Sequence, residues 1–175
     1  PFLTYGNSFI IKRSIFEKIG GFDDKMFTLN DDVDMSWRIR LMGFEIICAS
    51  DSIVYHKGHA TLGPLFPRSY KRYLGERNTL RTLLMNYSSL NLIKFMPLYF
   101  GLLFCEMGIY FVKGRSDLFF AIIRSLLWNL LYLPNTWKLR NKIQKMRKIA
   151  DNQIIEMLNK KSFKLFHSKE FVKSI

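Results

Sequence analysis

Between residues 95 and 112 a single charge, Glu106, interrupts eighteen otherwise uncharged and mostly apolar residues. At 1.5 Å per residue that stretch makes a helix of roughly 27 Å, close to the thickness of the hydrocarbon core of a bilayer. The turn Lys113-Gly114-Arg115-Ser116 leads into a second apolar run, residues 118–133, which also holds one charge, Arg124. Two such runs about a tight turn predict an antiparallel helical hairpin that buries its apolar surface in lipid or against the rest of the chain. Glu106 and Arg124 then fall at nearly the same depth. They are predicted to pair, because an isolated charge in hydrocarbon costs about 3 kcal/mol.

Charge is unevenly spread around the hairpin. The formal net charge is +13, yet the first 51 residues hold eight acids against six bases, a net −2, and the remainder a net +15. Residues 138–148 (KLRNKIQKMRK) supply six bases and no acid, while Leu139, Ile143, Met146, Ala150, Ile154 and Met157 return at helical spacing. This is a basic amphipathic helix suited to an anionic membrane surface. The bases in 68–81 and 138–148 lie at the open ends of the hairpin and outnumber Lys113 and Arg115 in its turn, which predicts the cytoplasmic face of the cell membrane. The same charge could serve a nucleic acid, but the adjoining apolar hairpin favours membrane lipid, and no nucleic-acid partner is expected. Cys48 and Cys105, in apolar runs of different character, are predicted to be reduced core thiols.

The first 88 residues read differently. Residues 2–11, 44–49 (FEIICA) and 52–56 (SIVYH) are short, apolar and β-branched, which predicts strands. A helix over 14–19 stops at Gly20-Gly21, another runs over 70–86, and residues 57–67, with Gly58, Gly63, Pro64 and Pro67, read as a loop. The expected organisation is an α/β domain over 1–88, an apolar hairpin over 89–135, and a basic helix with its tail over 136–175.

Chemistry concentrates in residues 26–43, MFTLNDDVDMSWRIRLMG. Asp31, Asp32 and Asp34 open a helix in which Val33, Trp37 and Leu41 recur every four residues. Acids there are stabilised by the free amides and the positive end of the helix dipole, and Gly43 suits the left-handed residue that closes a helix. One acid is enough for a cap, so at least one carboxylate is left for a metal, a hydroxyl or a substrate. Arg38 has Asp34 at the spacing of a helical ion pair, and the repeat that contains Trp37 suits core packing.

Three segments, GNSFIIKRSIFEKIGGFDDKMF, NDDVDMSWRIRLMGFEIICASDSIVYH and ERNTLRTLLMNY, together resemble the C-terminal part of a family 2 glycosyltransferase of the rhamnosyltransferase-like kind. The resemblance implies a GT-A fold, a Rossmann-like α/β sheet, and transfer of a sugar from a nucleotide-sugar donor to an acceptor hydroxyl, usually with inversion. By position Asp32 is the general base, and Asp31 stands where the family has Glu. It also implies substrate contacts from Gly6 and Asn7 and from Trp37 and Arg38, although the last two have the core and ion-pair readings given above. His56, at the end of its strand, would add a metal or diphosphate contact, with His59 a weaker candidate. The acceptor would be a saccharide or a lipid-linked glycan of the cell surface. A divalent cation, Mg or Mn, would be held mainly by a preceding half-domain with a D-x-D motif, so the chain, which opens on Pro1, is expected to be a fragment inactive alone. The alternative is a non-catalytic, membrane-tethered α/β adaptor whose acids only cap a helix.

Overall fold

In the computed structural model, residues 8–49, 51–57 and 62–157 are described, and every regular element among them is a helix. The first, α1 (Arg13–Ile19), ends at Gly20 and Gly21, whose φ values of 85° and 66° lie in the left-handed region that side chains avoid. The acids open α2 (Asp31–Leu41), and a single turn, α3 (Leu62–Leu65), precedes the long α4 (Arg68–Asn86). The hairpin is α5 (Ser89–Val112) and α6 (Ser116–Leu131). α5 begins well before the apolar run because Ser88 caps it, its hydroxyl accepting the Asn91 N–H at 3.3 Å. Pro134 lies in the first turn of α7 (Leu133–Met146), where its missing N–H is not needed. α6 and α7 meet there at a bend of 66°. The basic amphipathic stretch divides before α8 (Asp151–Met157), because the N–H groups of Lys148 and Ile149 turn to the Leu41 carbonyl at 2.7 and 3.1 Å.

α4 is the axis of the structure: α6 and α7 pack along it, and α2 packs on it from another side. Apolar clusters close the seams. Met26, Trp37, Leu41, Met85, Ile143 and Ile154 form one, Ile19, Met35, Ile39 and Met42 a second, and Leu103, Tyr110, Leu118 and Ile122 a third within the hairpin. What distinguishes α4 is its buried polar face, with Glu76, Arg77, Asn78, Arg81, Thr82 and Asn86 all withdrawn from water. The C-terminal carbonyls of α4 are satisfied by α7: Arg140 donates to Leu84 and Tyr87, both at 2.6 Å, and Gln144 to Met85 at 2.9 Å.

The expected α/β, GT-A (Rossmann-like) fold is corrected, and the α/β character of the adaptor alternative with it: the described residues contain no strand or sheet. FEIICA and SIVYH are irregular, and Ile47, Ile53, Val54 and Tyr55 in them are exposed. β-branched composition makes a strand only when a neighbour supplies ladder partners and a face to pack on, and no described segment does so. Residues 2–7 of the first predicted strand lie outside the described residues. Cys48 and Cys105 are free thiols, but both are exposed, not in the core.

The predicted Glu106–Arg124 pair is not formed. Glu106 instead accepts two hydrogen bonds from Arg72 of α4, each 2.9 Å, and one from the Tyr110 hydroxyl at 2.9 Å. The Arg124 guanidinium lies over the Tyr73 ring, 4.7 Å from its centroid. The cause is α4, which lies against the hairpin and meets both charges with its own side chains. Arg72 also pairs with Glu76 at 2.5 Å. Arg72→Leu, which strips the cation from two buried carboxylates, is expected to cost about 3–5 kcal/mol, against about 1 kcal/mol for Arg124→Leu. Chemical unfolding of both variants measures the difference, and adding Glu106→Leu to Arg124→Leu should rescue nothing.

Candidate functional site

The peptide that delivers the acids is held in an unfavourable conformation. Leu29 and Asn30, the two residues before α2, have φ of 68° and 64°, a left-handed geometry that costs a side-chain-bearing residue roughly 1 kcal/mol or more. α4 compensates. The Asn78 side-chain amide donates to the carbonyls of Thr28 and Leu29, both at 2.7 Å, and Asn30 donates to the Thr79 hydroxyl. Arg77 donates to the Asn78 side-chain oxygen at 2.9 Å and to the Lys25 carbonyl at 3.1 Å, which fixes the orientation of the amide. Stacked against Trp128 at 4.6 Å, Arg77 is itself immobilised.

The three acids of α2 divide. Asp34 is buried within the protein, where its Oδ2 accepts from Arg38 Nε at 2.9 Å and Nη2 at 2.6 Å, and its Oδ1 from Asn86 at 2.7 Å. Arg38 Nη1 donates to the carbonyls of Ile19 and Gly21 at 2.8 and 2.7 Å, so this guanidinium joins the end of α1 to α2 from inside the core. Asp31 and Asp32 are half-buried at the helix start. Asp32 Oδ1 accepts the Val33 N–H at 2.8 Å. Burial first, and then the charge of Asp32, hold the Asp31 carboxyl above the usual aspartate range, although backbone N–H groups pull against them.

The other predicted site residues are scattered. Trp37 is buried in the apolar cluster between α2, α4 and α7 and meets the Tyr87 ring edge-on at 4.7 Å. His56 is exposed at the end of the irregular segment 52–56, while Gly6, Asn7 and His59 lie outside the described residues. No three His, Cys, Asp or Glu side chains cluster among the described residues as a metal site would need.

The residues that shape the site and that sequence reasoning passed over are on α4. Asn78 and Arg81 share a helical stripe with Leu74 and Met85, which is where a core-facing polar residue would show. Arg81, fully buried, donates to Asp23 Oδ2 at 2.6 Å and Oδ1 at 3.2 Å, to Thr136 at 2.7 Å and to Asn135 at 2.8 Å. Asp23 is thus anchored, and its neighbour Asp24 faces solvent beside Lys25.

Comparison with known proteins adds a second line of observation. Residues 1–139 match the family described as "Glycosyl transferase family group 2". N-acetylglucosaminyl-diphospho-decaprenol L-rhamnosyltransferase of Mycobacterium tuberculosis is 33% identical over 57 residues, which is 32% of this chain and 19% of that enzyme. O-antigen biosynthesis protein RfbC of Myxococcus xanthus is 23% identical over 77 residues, 39% of this chain and 6% of that protein. The matched stretch thus spans less than a fifth of either relative. No solved structure matches the chain.

The raised Asp31 pKa has a consequence that can be measured. Folding favours its protonated form, so the stability it contributes is fully present below the ordinary aspartate value of 3.8 and is lost as pH rises through the raised one. Carboxyl carbon NMR should place its midpoint above 3.8, and Asp32→Asn should lower it. Asp31→Asn is expected to gain stability, relative to wild type, as pH rises from about 3 to about 7, which chemical unfolding at the two pH values measures.

Proposed function

The chain belongs to glycosyl transferase family group 2, and from that premise we propose that Asp32 is the general base for transfer of a sugar from a nucleotide-sugar to an acceptor hydroxyl. The observation that carries this reading is the division of the acids. Asp34 is consumed by Arg38 and Asn86, whereas the adjoining pair Asp31 and Asp32 is held half-buried at a helix start by a linker that α4 locks in place. A hydroxyl is a weak nucleophile. As its oxygen bonds to the anomeric carbon its proton passes to the carboxylate, and the bond from that carbon to the diphosphate of the nucleotide breaks. One base acting on the acceptor, with attack opposite the leaving group, gives inversion. Asp31, beside it, would hydrogen-bond to the acceptor or to Asp32.

The acceptor proposed is a saccharide or lipid-linked glycan destined for a surface polysaccharide, in keeping with relatives named for transfer to a diphospho-decaprenol lipid and for O-antigen biosynthesis. The protein would work at the cytoplasmic face of the cell membrane. α5 and α6 support this. α5 spans 24 residues, about 36 Å, and is long and apolar enough to cross a membrane. α4 covers only one side of the hairpin, and Leu98, Phe104 and Phe111 of α5 and Phe120, Leu127 and Leu131 of α6 remain exposed. Apolar side chains exposed on both helices, with Glu106 buried towards α4, are what a protein seated on or in lipid would present.

The test is sugar transfer with membrane-bound acceptor. Asp32→Asn is expected to reduce kcat at least about 100-fold, with donor KM nearly unchanged, and Asp31→Asn to reduce it less. Transfer that survives Asp32→Asn at the wild-type rate would remove Asp32 as the base.

A further inference from the structure

Two of the six bases that sequence analysis assigned to a membrane surface have other work. Arg140 and Arg147 turn inward: Arg140 takes the carbonyls of Leu84 and Tyr87, and Arg147 takes the Asn86 carbonyl together with Asp151. Lys138 and Lys142 do not. They stand one helical turn apart on α7 and form, with Leu139, one wall of a cleft of about 220 Å³. The opposite wall is the turn carrying Asp23 and Asp24, and Arg81 and Asn135 complete the lining. Asp23 is neutralised by Arg81, and Asp24 has Lys25 at 3.3 Å. Among the described residues no ion pair to an acid is formed by Lys138 or Lys142. The cleft therefore presents two uncommitted ammonium groups to whatever enters it, with the rest of its charge internally balanced.

Its position narrows the occupant. α7 starts directly after the exposed end of α6, at Leu130, Leu131 and Leu133, and Trp137, adjacent to Lys138, is half-exposed, as tryptophans at a lipid–water boundary are. The other wall leads into the acidic helix, and Asp23 is close enough for its charge to act on Asp34. We propose that this cleft binds the diphosphate of a lipid-linked acceptor, with Lys138 and Lys142 holding the phosphates at the membrane surface while the glycan extends towards α2. Two lysines one turn apart meet two linked phosphates, and a lipid tail continues along the apolar face of α6. The inference rests on the sugar-transfer reading for its direction, but binding is measured without transfer, so either can fail alone.

Flotation of the purified protein with phosphatidylcholine vesicles tests it. One set carries a polyprenyl diphosphate and a second carries phosphatidylglycerol at matched surface charge, and each is run with and without inorganic pyrophosphate. The chain should prefer the polyprenyl diphosphate vesicles, and pyrophosphate should compete. Lys138→Ala with Lys142→Ala, both exposed positions, should weaken that binding roughly ten- to thirty-fold, whereas Lys145→Ala with Lys148→Ala, which removes the same charge outside the cleft, should leave the preference intact. Equal binding to the two vesicle types, or equal losses in the two double variants, would show ordinary attraction to an anionic surface and overturn the proposal. Competition by pyrophosphate with no preference for the lipid would assign the cleft to a soluble diphosphate and overturn it as well.

Discussion

The buried ion pair between Arg81 and Asp23 is the contact on which the rest of the structure depends. Neither side chain touches solvent to any useful extent, and the desolvation of two such charges is repaid only by close geometry and by partners for the remaining donors. Both conditions hold. The guanidinium meets the carboxylate through two nitrogens and gives its other hydrogens to Thr136 and Asn135 of α7. Three segments far apart in sequence, the Gly-Gly-Phe-Asp turn, α4 and the start of α7, are therefore fixed to one another by a single side chain. Removing either charge would strand the other in the core.

The same helix face governs the acids. A left-handed Leu29 followed by a left-handed Asn30 would relax if the linker were free, and the carboxylates of α2 would move with it. Asn78 prevents this by occupying two successive carbonyls, and Arg77 prevents the amide from turning over. Arg38 and Asn86 then secure Asp34 from below. Strain in the linker and order in α4 are thus two sides of one arrangement, which leaves Asp31 and Asp32 at a fixed place on a rigid helix.

Much of this was legible in sequence where the determinants are local. The helices over 13–19, 31–41 and 68–86 follow from periodicity, from the glycines that end the first two, and from the acid-rich start of α2, and the Asp34–Arg38 pair follows from its spacing. Two kinds of determinant were not legible. A strand is defined by its neighbour, so FEIICA and SIVYH had the composition of strands without the ladder that makes one. A buried charge is defined by whatever reaches it first: Glu106 and Arg124 were matched by depth within the hairpin, but α4, distant in sequence, brought Arg72 and Tyr73 to them. The polar stripe Asn78, Arg81 and Asn86 carried a signal, because polar residues in register with Leu74 and Met85 must find partners inside.

The polar interior also explains how a chain with so much exposed apolar surface keeps one structure. Hydrophobic packing alone is indifferent between burying the hairpin on α4 and burying it in lipid, since both remove the same side chains from water. Directional contacts decide. Arg72 donating to Glu106, and Asn129 donating to the Arg77 carbonyl at 3.0 Å, tie α5 and α6 to α4 by bonds that lipid could not replace. One side of α5 and α6 is thereby assigned to the protein, and the other, where Phe104, Phe111, Phe120 and Leu127 project, stays exposed. The 66° bend between α6 and α7 then turns the chain back across α4, so that Lys138 and Lys142 of α7 come to rest beside the turn that Arg81 holds. The hairpin, the basic helix α7 and the acidic helix α2 are thus coupled through α4.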